Sequence, residues 1–196
     1  MYEQSKAAKR RFNIGAFHQR YFSGKGIDIG GKPDPLSQYK DIFSKMQEVR
    51  IWDRTDGDAQ HMQGVDDNSY DFLHASHCLE HMRDVDEALS NWIRIVRTGG
   101  YLVITVPDED LYERGIWPSA ANPDHKWTFT VFKHKSWSPV SINVLDLLVR
   151  FGDRVRAEKV ELIQDFFRQD LRARQVDQTL TPVAECAIEI IAQKLA

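Results

Sequence analysis

The amino-acid sequence predicts an α/β fold: a mostly parallel sheet with helices on both faces and an antiparallel final strand. Three observations carry that expectation. The first is Gly26-Ile27-Asp28-Ile29-Gly30-Gly31, a short apolar strand that breaks on two glycines. The second is the stretch from Asp71 to Pro107, DFLHASHCLEHMRDVDEALSNWIRIVRTGGYLVITVP, which reads as strand, polar turn, amphipathic helix, Gly-Gly and second apolar strand. The third is a pair of strand-like segments near the C-terminus, 156–166 and 187–193. A glycine turn followed by a strand–helix–strand unit suggests a nucleotide-like ligand held at the carboxyl ends of parallel strands.

In chain order, a first helix is expected over about residues 3–22, ending before Ser23-Gly24. Its basic residues Lys6, Lys9, Arg10, Arg11 and Arg20, with Lys25 beyond it, face Glu3 alone. They read as a solvated helix face, with Phe12, Ala16 and Phe17 packed inward, in preference to an arm for an anionic substrate. Pro33 and Pro35 close the glycine turn. Leu36, Tyr39, Ile42, Phe43 and Met46 carry helical spacing over 36–47. Strands follow at 49–52 and 70–76. A helix over 84–96 buries Val85, Ala88, Leu89, Trp92, Ile93 and Val96, with Asp84 as N-cap and Asp86 and Glu87 complementing the dipole. Gly99-Gly100 would stop it. The uninterrupted apolar run 101–106 suits a strand covered on both faces. Residues 108–138 show no period, and a loop this long with five aromatics between Trp117 and Trp137 is expected to be ordered and functional. A further helix is expected at 140–151. The period of 187–193 fits a strand or a helix.

At 196 residues, with 42% hydrophobic and 28% charged residues, the chain suits one soluble domain with a full core. Its expected organisation is a single domain over 1–196: an N-terminal helix (1–23), a cofactor-binding core (24–110), a substrate-side loop (111–138), and a C-terminal helix with edge strands (139–196). No apolar run approaches the roughly 20 residues of a membrane span. The N-terminus lacks the apolar stretch of a secretory signal. Cys78 and Cys186 read as free thiols of a cytoplasmic protein. The net charge of -3 argues against general nucleic-acid binding.

GIDIGG at 26–31, GDAQ at 57–60, DDNSYDFLHASHCLEHMRD and RTGGYLVITVPDED stand in order across residues 24–110. Together they resemble the class I S-adenosylmethionine-dependent methyltransferases, most closely the methyltransferase type 11 branch, and so a Rossmann-like fold. The resemblance implies S-adenosyl-L-methionine as cofactor. It places Gly30 and Gly31 against the methionine part, where a Cβ would obstruct the ligand, with Asp28 orienting that part and the turn. It gives Asp53 the ribose hydroxyls, a task suited to a carboxylate, and Asp58 the adenine amino group beside Ala59. Ser76 and His77 fall near the transferable methyl. Two features depart from the family pattern. Lys32 replaces a common third glycine, and only five residues separate Asp53 from Asp58, where the family normally inserts a helix and a strand. Either that crossover is deleted or one acid is misassigned, with Asp56 or Asp58 then at the ribose.

His77 and His81 stand i, i+4 around Glu80, in an H-x-x-E-H order with no third ligand in register. No metal site is expected. His77 is read as a wall of the cofactor and substrate cleft and a candidate catalytic residue, and His81 as structural. His125 lies in a Pro-x-His run followed by Phe-Thr that resembles the branch's substrate side. It is a candidate general base facing the acceptor, or a loop anchor. His18, His61, His74 and His134 stand in no motif. The expected reaction is methyl transfer to a small-molecule or saccharide acceptor, at oxygen, in a site dried by Trp117, Trp127, Phe129, Phe132 and Trp137. The alternative is a catalytically silent cofactor-binding module acting with a partner such as a glycosyltransferase. The acceptor and the oligomeric state are not written in the sequence.

Overall fold

Residues 101–106 form an uninterrupted apolar run, and residues 70–76 are largely buried, so both strands need cover on both faces. The structure, a computed structural model, supplies it and describes residues 3–172 and 174–196. Its main sheet has the strand order β2-β1-β3-β4-β8-β7. These strands are β1 (Gly24–Ile29), β2 (Met46–Trp52), β3 (Tyr70–Ser76), β4 (Val96–Pro107), β7 (Val155–Ile163) and β8 (Ala187–Lys194). A small parallel pair, β5 (Thr128–Thr130) and β6 (Ser141–Asn143), lies in the long loop region. β1 to β4 are parallel, while β8 is antiparallel to both β4 and β7. The 187–193 segment is therefore a strand. It sits inside the sheet, and β7 forms the edge.

Alternate strand residues serve two cores. On one face Ile27, Ile29, Leu73, Ala75, Leu102, Ile104, Ile188 and Ile190 pack with α2 (Val85–Ile95) and α3 (Val144–Arg150). On the other, Phe72, Val103 and Ile191 meet Phe17, Phe22, Leu36 and Phe43. Asp84 caps α2 by accepting from the Glu87 N–H at 2.9 Å. The glycines after α2 do not stop it. The helix ends at Ile95, and the chain turns directly into β4. A Cβ at Gly100 would lie 2.5 Å from the Asp71 carbonyl oxygen, so this glycine allows β4 to cross close to β3 where their register shifts.

Two expected helices are shorter. α1 covers only Glu3–Phe12, because the chain breaks at Asn13-Ile14-Gly15 before a π-helical turn over Phe17–Tyr21. In place of a helix over 36–47 there is one 3-10 turn at Leu36–Tyr39. Met46 already belongs to β2, and the link is tied to α1 by Asp34, whose Oδ2 accepts from the Ser5 N–H and hydroxyl at 2.8 and 2.7 Å. Leu36, Phe43 and Met46 are buried there without helical geometry.

The N-terminal basic face is solvated only in part, at Lys9 and Arg20. Phe12 is 54% exposed, while Lys6 and Arg11 are buried. Lys6 Nζ donates to Glu3 and to the carbonyls of Thr179 and Ala184. Arg11 Nε donates to Glu189 Oε2 at 2.8 Å, Nη2 to Thr105 Oγ1 at 3.2 Å, and Nη1 lies 3.2 Å from His74 Nε2. An arginine can only donate, so His74 Nε2 accepts and its Nδ1–H donates to Asp28 Oδ1 at 2.6 Å. A polar row thus runs through the sheet from β8 to β1 under α1.

Burial alone would push the Glu189 carboxyl up. Arg11, Arg10 and Lys159 outweigh it and hold the group well below its ordinary 4.5. Glu189→Gln leaves Arg11 buried without its counter-ion and should cost about 3–5 kcal/mol in urea denaturation at neutral pH. Because the folded carboxyl binds its proton less readily than the unfolded one, that advantage is complete above about pH 4.5 and shrinks below it. The stability gap between wild type and variant should narrow as the pH falls through that range.

Candidate active site

β2, β1 and β3 are adjacent and parallel, so the turns after Trp52, Ile29 and Ser76 open at one edge of the sheet. Gly30 has φ +70°, and its N–H donates to the Trp52 carbonyl at 2.8 Å, carrying the ladder one step beyond β1. A Cβ at Gly31 would lie 2.4 Å from Asp28 Oδ2. That oxygen accepts from the Leu36 N–H at 2.7 Å. Asp28 therefore holds the turn shut around its own carboxylate, and the glycines let the backbone wrap it.

Two adjoining cavities open on this edge. One, of about 570 Å³, is lined by Trp52, Asp53, Asp58, Ala59, His81 and Met82 among others. The second, of about 210 Å³, is lined by Asp28, Gly31, Ser76 and others. Gly30, Lys32 and His77 border both. Every residue that the motif resemblance gives to the cofactor, Asp28, Gly30, Gly31, Asp53, Asp58, Ala59, Ser76 and His77, lines one cavity or both. The glycine cradle lies against the smaller one, and Asp53 and Asp58 against the larger, so the residues present fit an adenosyl cofactor laid across the two.

The two acids differ in what they still offer. Asp53 Oδ1 accepts from the Arg54 N–H at 2.7 Å, while its Oδ2 has no partner among the described residues. Asp58 uses both oxygens: Oδ1 accepts from the Gln60 N–H at 2.9 Å and Oδ2 from Arg83 at 2.6 Å. The Arg83 bond holds the Asp58 carboxyl below its usual range. No helix or strand separates them, because the link from Asp53 to Ser69 consists of turns only. The crossover is deleted. α2 supports the short link directly. Trp92 Nε1 donates to the Ala59 carbonyl at 2.9 Å, Asn91 to the Gln60 carbonyl at 3.0 Å, and Arg94 to those of Met62 and Val65.

His77 sits where the cavities meet, at φ +52°, with its N–H donating to the Thr105 carbonyl at 2.9 Å. Its Nδ1 lies 3.7 Å from Glu80 Oε1, and its Nε2 lies 3.9 Å from Glu3 Oε2. Burial works against the imidazolium, but these carboxylates outweigh it and raise the His77 pKa. Burial pushes the Cys78 thiol far up, which leaves it an inert wall beside Gly30.

His125 is not in the cleft wall. It is buried one layer behind His81, with ring centroids 5.0 Å apart, and its Nδ1 is 2.6 Å from Glu113 Oε1. The docking of the loop puts it there, a position that suits the loop-anchor alternative. Lys126 N–H donates to the Glu80 carbonyl and Trp127 Nε1 to the Met82 carbonyl, both at 2.9 Å, which presses residues 125–127 onto the turn after β3. Farther along, Glu109 accepts from Thr128, Lys133, Ser136 and Ser141 and folds the loop around itself. Of the aromatics expected to dry the site, Phe129 is buried but Phe132 is 74% exposed, and Trp137 is exposed as well. The sequence did not single out Arg83, Met82 or Trp52 as cleft residues. An arginine immediately before the α2 cap was a usable signal for Arg83, whereas the other two depend on the fold.

The sequence profile of a methyltransferase domain matches residues 13–147, more than half of the chain. No curated protein matches it in sequence. Among solved structures, the chain is similar to a chain of the complex between the Haloferax volcanii Trm112 methyltransferase activator and a methyltransferase. Identity there is 14% over 99% of this chain and 92% of that one, with a TM-score of 0.63. It is similar to a SAM-dependent methyltransferase from Archaeoglobus fulgidus at 17% identity, over 98% of this chain and 94% of that one, with a TM-score of 0.61. It is also similar to phosphoethanolamine N-methyltransferase 2 from Haemonchus contortus, solved with S-adenosyl-L-methionine, at 15% identity over 100% of this chain and 53% of that one, with a TM-score of 0.60. At these identities the structural likeness speaks for the fold alone, whereas the profile covers the glycine turn, both acids and the β3 turn. The chain belongs to this methyltransferase domain family and is an S-adenosylmethionine-dependent methyltransferase of the class I fold.

Proposed function

We propose that the enzyme methylates an oxygen of a small-molecule or saccharide acceptor. The observation that supports this reading best is the position of His77 at the junction of the two cavities, with the Glu80 carboxylate behind it. A hydroxyl must lose its proton as it attacks, and an imidazole backed by a carboxylate can take it. S-adenosylmethionine supplies a methyl group made electrophilic by its sulfonium. The chain's own part is chiefly to hold acceptor oxygen and methyl carbon in line, which converts a bimolecular encounter into an effectively unimolecular step. In this reading Asp53 accepts from the ribose hydroxyls through its free Oδ2. Asp58, tied by Arg83, offers its edge and that of Ala59 to the adenine. Gly30, Gly31 and Ser76 border the methionine end, and Asp28 keeps their turn in shape. A net charge of -3 agrees with an acceptor that is not a nucleic-acid backbone.

The reading is tested by following S-adenosylhomocysteine release with panels of sugar, phenol and amine acceptors. Turnover with hydroxyl acceptors is the expected outcome. Turnover confined to amines overturns the oxygen assignment, and cofactor binding without product under all panels favours the silent-module alternative.

Asp53→Ala should weaken S-adenosylhomocysteine binding by about 1.5–3 kcal/mol, the range for hydrogen bonds to a charged group. Asp58→Ala should weaken it less, because that carboxylate already serves Arg83 and Gln60. Calorimetry that leaves Asp53→Ala at wild-type affinity moves the ribose contact to Asp56 or Asp58. Gly31→Ala forces a methyl group against Asp28 and should lower cofactor affinity together with thermal stability. With an acceptor in hand, His77→Gln should reduce turnover by about 10²–10⁴-fold, the usual weight of a general base. Full turnover in that variant removes His77 from the chemistry.

A further inference from the structure

One cluster beside the cleft is left unexplained by methyl transfer alone. Glu80 is fully buried, and neither of its carboxylate oxygens has a hydrogen-bond partner. A buried carboxylate with nothing to accept from is strongly unfavourable. His81 Nε2 and His125 Nε2 each lie 3.9 Å from its Oε1. One ligand atom from each of the three residues fits within 4.8 Å of the others.

The outer partners decide what these histidines offer. His125 Nδ1 is 2.6 Å from Glu113 Oε1, and His81 Nδ1 is 3.1 Å from Asp124 Oδ2. The His125 Nδ1–H is thereby committed to the Glu113 carboxylate and the His81 Nδ1–H to Asp124, whose backbone carbonyl accepts it at 3.3 Å, which leaves each Nε2 with a free lone pair 3.9 Å from Glu80 Oε1. Two imidazole lone pairs and a carboxylate without a hydrogen bond thus converge as acceptors, and the third imidazole nearby, His77, stands with its Nδ1 3.7 Å from Glu80 Oε1, too far for a hydrogen bond. An imidazolium proton does not resolve this, because 3.9 Å is beyond hydrogen-bond reach. A cation does. Histidines whose far nitrogens are held by a carboxylate or a backbone carbonyl, as by Glu113 and Asp124 here, are the usual setting of a metal-bound imidazole.

We propose that Glu80, His81 and His125 bind a divalent transition-metal ion at the inner edge of the cleft. Two imidazoles and one carboxylate suit zinc, cobalt, iron or nickel better than magnesium or calcium, which favour all-oxygen sites. Bonds of about 2.0–2.2 Å require the ligand atoms to close by only about 1 Å from their present spacing. His81 lines the larger cavity, so a coordination position can face the acceptor. An acceptor hydroxyl bound there would lose its proton more easily, and in that respect the inference rests on the oxygen-acceptor reading. The sequence shows no third ligand in register with His77 and His81, because His125 lies 44 positions beyond His81 in the chain and reaches the cluster only when Lys126 and Trp127 dock the loop.

The test needs no acceptor, so its failure is distinct from failure of the functional reading. The full-length chain, stripped with chelator and dialysed, is equilibrated with Zn²⁺, Co²⁺ or Mg²⁺, and bound metal is measured per chain. One equivalent of Zn²⁺ or Co²⁺, and none of Mg²⁺ at the same concentration, is the expected result. Glu80→Gln and His125→Gln should lose the uptake, and Glu113→Gln should weaken it about 10–100-fold. Calorimetry with S-adenosylhomocysteine shows that each variant is folded. No uptake of zinc or cobalt by the wild type, or uptake at wild-type strength in a folded variant of the three, overturns the proposal.

Discussion

The row Asp28–His74–Arg11–Glu189 is the constraint on which the rest of this structure depends. Each member is buried and held by its neighbours: Glu189 by Arg11 with Arg10 and Lys159, Arg11 by Glu189, Thr105 and His74, His74 by Asp28 and Arg11, and Asp28 by His74 and the Leu36 N–H. Such rows are unforgiving in a low-dielectric interior, since one missing partner strands a charge. This row lies across β1, β3, β4 and β8, with α1 as its lid, and it ends at the glycine turn that borders both cavities. The N-terminal helix is thereby coupled to the glycine loop through a chain of hydrogen bonds whose tautomer is set by arginine's inability to accept.

The cleft shows how a shortened crossover can be tolerated. Between Asp53 and Ser69 the chain has no regular element to bury its own backbone, so its carbonyls must be paired from outside. α2 does this with Trp92, Asn91 and Arg94, while Met62 and Val65 fill the space under Trp52 and Trp92. The helix thus serves as packing for β3 and β4 on one side and as a hydrogen-bond rack for the cleft floor on the other. Asp53 and Asp58 come to line the same cavity in consequence, in spite of standing only five residues apart.

The turn after β3 gathers His77, Glu80 and His81 in five residues, and the docked loop adds His125 and Asp124. Neither segment has a complete set of partners for its polar groups alone. Two bonds from Lys126 and Trp127 bring them together, and Tyr112 stacks on the His125 ring at 5.3 Å. The long loop is therefore less a lid than a second half of the polar cluster, with its exposed Phe132 and Trp137 turned to solvent.

Local physics was readable from the chain itself. The uninterrupted apolar run 101–106 specified β4, Asp84 specified the start of α2, and the paired glycines after Ile29 marked a turn, because strand burial, capping and close backbone approach are set by nearest neighbours; the two acids came only from the resemblance to the methyltransferase motifs. Where those rules were followed further they failed for one reason. The basic face of α1 has helical spacing suited to solvent, yet Arg11 turns inward because Glu189, some 178 residues away, waits beneath it. The apolar spacing of 36–47 is helical, yet Asp34 anchors that link to Ser5 and β2 claims Met46. The period of 187–193 was ambiguous until β4 and β7 offered ladders on both sides. His125 could be placed neither in the wall nor behind it until the loop docked. The sequence by itself determined the fold class and the strand–helix–strand core, and its motif resemblance picked out residues that line the two cavities at the sheet edge. The tertiary structure alone decided which charges are buried and which histidine nitrogens stay free, since pairing a polar group depends on partners that only folding brings within about 3 Å.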